Sequence, residues 1–299
     1  MILVTGASGL LGSSVVREAA RRGEEVVGLY YAHDLVPQAA RAIRCDISDG
    51  TATGALVREL RPSAVVHCAA ITNVDWCEEH AEETTRVNVT ASEQLAETAQ
   101  EIGAAFVYIS TDSVFDGDGS WYAETDATGP VNVYARSKLA GEVAVAGAHT
   151  GALGVRTDLY GRSPSGTGSL VEWVYRKLAA GEQVPGFDDV IFNPLLTDDI
   201  SDAVLDAIAA GLTGTYHLAS PEACSKFAFA QAVAEVFGFA PELVHPVPVA
   251  AVTFKAPRPL NTTLDGAKLE AALGRKMPTL LDGLRRLQST GGLATTGLA

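Results

Sequence analysis

Residues 2–12 read Ile2-Leu3-Val4-Thr5-Gly6-Ala7-Ser8-Gly9-Leu10-Leu11-Gly12. A short β-like run enters three glycines spaced Gly-x-x-Gly-x-x-Gly. An amphipathic helix follows, with Val15, Val16, Ala19 and Ala20 apolar and Arg17, Arg21 and Arg22 polar. Gly23 stops it, and Glu25 to Tyr30 reads as the next strand. Strand, glycine loop, helix and strand within about thirty residues make a βαβ unit. In such a unit the glycines let the backbone approach a pyrophosphate. The helix N-terminus offers the anion free N–H groups and the positive end of its dipole. Gly6, Ser8, Gly9, Leu10, Leu11 and Gly12 are therefore candidate cofactor-binding residues. The bland alternative is a tight turn with a packing glycine.

The alternation continues. Arg41 to Ile47 reads as a third strand ending in Asp46 and Ile47. An Asp there fits two roles: acceptor for an adenine amino group, or cap of the helix that begins near Thr51. Ala64 to Ala70 is a fully apolar strand, as expected inside a parallel sheet. Its small last residues, Ala69 and Ala70, let a flat cofactor lie close, and His67 within it reads as a packed core histidine. A helix from about Ala81 to Ile102 carries Asn88 between Val87 and Val89. A polar side chain buried there needs a partner. Phe106 to Ile109 is the next buried strand and delivers Ser110 and Thr111 at its carboxyl end, where ligands of open α/β sheets sit.

A long loop, Val114 to Pro130, leads to a helix from about Val133 with Tyr134 and Lys138 four apart, hence on one face. An ammonium beside a phenol favours the phenolate and lowers its pKa. A tyrosine so placed can give or take a proton near neutral pH. Beyond this the strict alternation loosens. Helices are expected at Leu170–Ala180, at Asp198–Ala210 (capped by Thr197 or Asp198), at Ser225–Phe237 with Ser225 as N-cap, and over Leu264–Leu273 and Leu280–Leu287. The fold expected is α/β: a doubly wound parallel sheet with a smaller mixed α/β C-terminal domain. The boundaries expected are 1–155 for a dinucleotide-binding domain with parts of 190–218 returning to it, 156–288 for substrate binding, and 289–299 as a flexible tail.

With 299 residues the chain can bury a sizeable core. Its net charge of −14 repels nucleic acid and anionic membrane, and makes any phosphate site depend on local donors. The four cysteines, Cys45, Cys68, Cys77 and Cys224, show no metal spacing and no disulfide pattern. Met1 leads directly into a strand with no basic leader, and no apolar stretch is long enough for a bilayer. A cytoplasmic protein is the expectation.

Together these parts resemble the extended short-chain dehydrogenase/reductases: the glycine loop, a helix Asn at Asn88, Thr111, and Tyr134 with Lys138. More narrowly, three stretches are similar to the dTDP-4-dehydrorhamnose reductase group: residues 69–78, residues 109–117, and residues 132–142. The segment Arg258-Pro259-Leu260-Asn261-Thr262 is similar to that group's Arg-Pro-x-Asn-[Ser/Thr] segment. The resemblance implies reduction of a 4-keto group on a nucleotide-activated deoxysugar. It implies NADP or NAD lying over Ala69 and Ala70, Tyr134 as general acid, and Lys138 tuning Tyr134 and holding the nicotinamide ribose. Thr111 would bond the carbonyl oxygen, and Asn88 would order a relay water near Lys138. On the substrate side it points to Ser113, Asn193, Arg258 and Asn261.

Two departures matter. Ser113 stands where the group usually has Tyr, and the segment Arg156-Thr157-Asp158-Leu159-Tyr160-Gly161 lacks a Trp the group often carries. Ser13-Ser14-Val15 replaces a Glu used for metal by some members, so no metal is expected. The end of the second strand has no carboxylate before Asp34, while His33 or Arg41 suits a 2′-phosphate, so the cofactor leans to NADP. A homodimer stays open as the assembly. Two other classes compete. One is a non-catalytic NADP-binding regulatory subunit resembling that of methionine adenosyltransferase. The other is a nucleotide-sugar epimerase or dehydratase, disfavoured because Asp112-Ser113 breaks the Asp-Glu pair that dehydratases often carry.

Overall fold

The strand that opens the chain, β1 (Ile2–Thr5), becomes the centre of a seven-stranded sheet. The others are β2 (Val26–Tyr30), β3 (Arg41–Arg44), β4 (Ala64–His67), β5 (Ala105–Ile109), β6 (Leu153–Arg156) and β7 (Gly214–His217). Their order is 7-6-5-4-1-2-3, and every neighbouring pair is parallel. The chain runs outward from β1 to β3, then crosses back to lay β4 on the other side of β1. That reversal opens a crevice beyond the carboxyl ends of the strands, the binding place of open α/β sheets. The structure is a computed structural model and describes residues 1–165, 168–291 and 293.

Both faces of the sheet are covered, as its apolar strands require. Side chains alternate across a strand, so Leu3 packs on one face with Leu29, Val57, Leu95 and Phe106. Ile2 and Val4 pack on the other with Val15, Val16, Ile200 and Val204. The last two come from the helix Thr197–Ala209, which lies along the helix Leu10–Arg21. Ser14 donates to Asp198 at 2.5 Å, and Arg22 bridges Asp202 and Asp206. Residues 197–217 thus pack with the sheet although they come late in the chain.

A further core gathers Tyr160, Val174, Phe229, Val233 and Leu284. It joins the helices Leu170–Ala179, Lys226–Phe237 and Leu280–Ser289. Its strands are short: Val184–Phe187 runs parallel to Val244–Val247, and Ile191–Phe192 antiparallel to Cys224–Ser225. Ser225 caps its helix by accepting from Ala228 N at 3.0 Å, as read from the sequence.

Four local expectations give way. The single helix over 81–102 is three pieces: Ala81–Thr85, a π-helical turn Arg86–Thr90, and Ala91–Ile102. The third strand ends at Arg44, because Asp46 turns the chain by accepting from the Ser48 amide at 2.9 Å. The helix Thr197–Ala209 has no side-chain cap: Thr197 is its first residue, and Asp198 accepts from Ser14 instead. The helix near 264 starts at Ala267, since Leu264 bridges to Tyr122 as a strand-like residue. The tail read from 289 begins on the last residue of the helix Leu280–Ser289, and 292 and 294–299 lie outside the described residues. All four cysteines are free thiols. Among the described residues no helix is long and apolar enough to cross a membrane.

Candidate active site

A cavity of about 940 Å³ follows the crevice. Gly6, Ser8, Gly9, Leu10 and Leu11 line it at one part, and Ser113, Lys226, Arg258 and Thr262 at another. Its volume falls in the range of small-molecule and cofactor sites.

The glycine loop is built for close approach. Gly6 has φ +63, and a Cβ there would lie 2.9 Å from the Ala69 backbone. The helix Leu10–Arg21 starts at Gly9 with no side-chain cap. Its first-turn amides therefore keep their donors for an anion. This uncapped cradle, with Gly6, Ser8 and Gly9 in its wall, fits the pyrophosphate of NAD(P). Gly12 stands apart from the cavity wall, and its Cβ would meet the Gly6 carbonyl oxygen at 2.2 Å. The phosphate and packing roles are thus divided: Gly6 and Gly9 face the cavity, and Gly12 holds the loop against the helix.

Tyr30, Tyr31, Ala32 and His33 line the neighbouring wall with Cys45, Asp46 and Ile47. Arg41 does not. Asp46 is not the cap of the helix Gly50–Leu60; Asp49 is, accepting from Ala52 N at 3.0 Å. Ala69 and Ala70 line the cavity between the two halves of the sheet.

Thr111, Asp112, Ser113, Tyr134 and Lys138 line the same cavity. Thr111 leaves the end of β5 and donates to Asp112 Oδ1 at 3.0 Å. Asn132 caps the helix Val133–Ala148 through Ala135 N at 2.8 Å, which sets Tyr134 and Lys138 on its first turns. Lys138 Nζ donates 2.7 Å to the Ile109 carbonyl and lies 4.0 Å from the Tyr108 ring centre. Burial pushes Lys138 down to about 7, with the Glu142 carboxylate opposing.

Tyr134 departs from expectation. Burial raises its phenol above the ordinary range; the Thr111 hydrogen bond opposes in part, while the Asp112 and Asp158 carboxylates add to the rise. The Lys138 ammonium is committed to the Ile109 carbonyl. The protein alone therefore keeps the phenol protonated, the form a general acid needs.

Asn88 is fully buried and absent from the cavity wall. It accepts from Ile71 N at 2.8 Å and donates to Ile71 O at 3.0 Å and Ser137 Oγ at 2.9 Å. Its amide holds the chain that follows β4, and Ile71 in turn lines the cavity. The extra residue of the π turn accompanies this inward placement. On the helix opposite, Gly141 has no room for a Cβ, which would meet the Asn88 carbonyl oxygen at 2.5 Å.

Of the four substrate-side residues, Ser113 and Arg258 line the cavity. Arg258 pairs with Asp75 at 3.0 Å and covers the Phe254 ring. Asn193 and Asn261 are placed elsewhere. Asn193 is buried, with its amide spent on Ser220 O and on Leu264 N and O. Asn261 accepts from Thr263 N and Oγ1. Both shape the segment that brings Thr262 to Asp112, to which Thr262 donates. His67 is a core residue, as read: it bonds Thr5 and Ser92, and burial holds it near 3. Trp121 is exposed and lies off the cavity.

Among the polar residues of the cavity wall, Asp158 and Lys226 carried no role in the sequence, while Asp112 and Thr262 lay inside quoted motifs without being assigned one. Burial and the nearby Asp158 carboxylate raise Asp112 to about 7.

With this geometry in place, the comparisons converge. The family described as the RmlD substrate binding domain matches residues 1–290. The "Probable low-salt glycan biosynthesis reductase Agl14" of Haloferax volcanii is 37% identical, over 96% of this chain and 96% of its own length. "Methionine adenosyltransferase 2 subunit beta" of Xenopus tropicalis is 32% identical, over 92% of this chain and 84% of its own. A solved structure of dTDP-4-dehydrorhamnose reductase from Bacillus anthracis, in complex with NADP, superposes with a TM-score of 0.86 at 29% identity. It covers 97% of this chain and 98% of its own.

Proposed function

The chain belongs to the RmlD substrate-binding-domain family, and we propose that it is an NAD(P)H-dependent reductase of a nucleotide-activated 4-keto-6-deoxysugar. The observation that carries this reading is one continuous cavity. It has the glycine cradle in its wall together with Thr111, Tyr134 and Lys138.

Bound NAD(P)H supplies the hydride that reduces a carbonyl carbon. The remaining tasks fall to the chain. Tyr134 gives its phenolic proton to the carbonyl oxygen as general acid. Thr111 hydrogen-bonds that oxygen. Lys138 ties the helix bearing Tyr134 to β5 through the Ile109 carbonyl and is assigned the nicotinamide ribose, and the spent phenol regains its proton from solvent. Asn88 serves as a positioning residue through Ser137 and Ile71. Ser113 and Arg258 contact the substrate, with the Arg258 fork suited to a diphosphate.

NADP is the favoured cofactor. The chain leaving β2 offers Tyr31, Ala32 and His33 where a carboxylate would accept a ribose 2′-hydroxyl, and the neighbouring Asp46 is engaged by Ser48. The Bacillus anthracis relative binds NADP. We assign the sheet with residues 197–217 to cofactor binding, and the helices around Tyr160 and Phe229 to substrate binding.

The test is NADPH oxidation with a panel of dTDP-, GDP-, UDP- and CDP-4-ketosugars. Stoichiometric NADPH consumption on one of them is expected. A second reading, a regulatory subunit, draws on the likeness to the methionine adenosyltransferase subunit. A co-purifying partner with no ketosugar turnover would establish that reading instead. Turnover without net NADPH consumption would point to an epimerase or dehydratase.

A further inference from the structure

One polar pair of the cavity exchanges no proton in the reaction just described, although the Asp158 carboxylate helps raise the Tyr134 phenol. Asp158 lies two residues past the end of β6, and Lys226 is the first residue of the helix Lys226–Phe237. Both line the cavity with Tyr134. Lys226 Nζ lies 3.5 Å from Asp158 Oδ2 and 3.2 Å from the Phe192 ring centre. The side chains keep 25% and 27% exposure, so neither is sealed from the cavity.

We propose that Asp158 and Lys226 are specificity-determining residues. They read a hydroxyl on the sugar carbon beside the ketone, Lys226 donating to it and Asp158 accepting from it. The inference rests on the ketosugar-reductase reading and adds which sugars it takes.

Three features support the pair as a reader of a neutral hydroxyl. First, 3.5 Å is longer than the 2.7–2.9 Å of a strong charge-assisted bond. The pair is loosely closed, and a group that both donates and accepts satisfies both partners. Second, its place is beside the reacting carbonyl. Asp112 N lies 3.4 Å from Thr157 O, which joins the chain leaving β5 at Thr111 to the chain leaving β6 at Asp158. Third, the local charge disfavours an anion. Lys226 faces two carboxylates, Asp158 and Asp112, and Asp112 is already engaged by Thr111 and Thr262. A phosphate is better served by the glycine cradle and Arg258. Phe192 under the ammonium limits where Lys226 can point.

A site built to bond a substrate hydroxyl rejects the analogue lacking it by about 10⁴–10⁵-fold when its groups are fully buried. These two are a quarter exposed, so discrimination on the order of 10²-fold is expected. The experiment uses the full chain with NADPH and two nucleotide 4-ketosugars, one with a 3-hydroxyl and one 3-deoxy. Wild type should prefer the hydroxylated sugar by that factor in kcat/KM. Asp158→Asn and Lys226→Met should lower kcat/KM for the hydroxylated sugar and bring the ratio between the two sugars near one. Lys226→Arg should retain part of the discrimination. NADPH affinity, measured by fluorescence, reports that each variant is folded. Equal use of both sugars by wild type overturns the pair while leaving the reductase reading intact. So does a loss in the variants that is the same for both sugars. Absence of NADPH oxidation with every 4-ketosugar rejects the reductase reading, and the pair's role with it.

Discussion

The Lys138 ammonium donates 2.7 Å to the backbone carbonyl of Ile109, the last residue of β5. That bond ties the helix bearing Tyr134 to the strand that delivers Thr111. The two groups assigned to the carbonyl oxygen, Thr111 and Tyr134, are thus fixed on two rigid elements, and the charge of Lys138 is spent within the protein.

This burial has a pH signature. Lys138 titrates at about 7 in the folded chain against 10.5 ordinarily. Between those values the unfolded chain binds the extra proton, so Lys138's contribution to stability rises with pH there. Below 7 the full penalty of the buried ammonium applies. The cofactor-free Lys138→Met variant should gain most over wild type in thermal midpoint at pH 6, with the gain shrinking by pH 9. A difference constant across that range would refute the buried-ammonium account.

Tyr134→Phe removes the proton donor and little volume. Turnover should fall by about 10²- to 10⁴-fold, with NADPH affinity unchanged. Steady-state kinetics with parallel binding titrations measure both. Wild-type turnover in the variant would reject Tyr134 as the acid.

Gly12→Ala should damage cofactor binding from outside the cavity. Its Cβ would sit 2.2 Å from the Gly6 carbonyl oxygen, a backbone atom that can yield only by moving the cradle. Overpacking of this kind costs about 1–3 kcal/mol, which amounts to about 5- to 150-fold in affinity where it is relieved only by displacing the cradle. NADPH titration checks it. Unchanged affinity would show that the loop tolerates displacement.

Asn88→Ala strips partners from the Ile71 amide and carbonyl. An unsatisfied buried polar group costs about 1–3 kcal/mol, so the thermal midpoint should fall by several degrees. Ser137→Ala should cost less, because it leaves both Ile71 bonds in place. Equal effects would place the role of Asn88 at Ser137 rather than at Ile71.

Much of the site was legible because its parts are local. A strand, its glycine loop and the following helix are contiguous, so spacing alone identifies the cradle. Tyr134 and Lys138 share a helix face for the same reason. What spacing could not supply was the balance of burial against charge. The motif places an ammonium near a phenol, but the fold buries both and points the ammonium at Ile109, so the phenol rises instead of falling.

Residues 2–12 by themselves determined a strand, a glycine turn and an uncapped helix start, because backbone sterics and helix-end donors act within one turn of chain. The division of labour among its glycines was a matter for tertiary structure, since Gly12 is fixed by a contact that appears only once the loop closes. The same holds for Asn193, whose amide is taken by the backbone of Ser220 and Leu264, which the fold brings beside it. It holds equally for Asp158 and Lys226, which lie far apart in the chain and meet over Phe192. Local spacing wrote the glycine loop and the Tyr134–Lys138 pair into the sequence, whereas the far wall of the cavity depends on long-range packing.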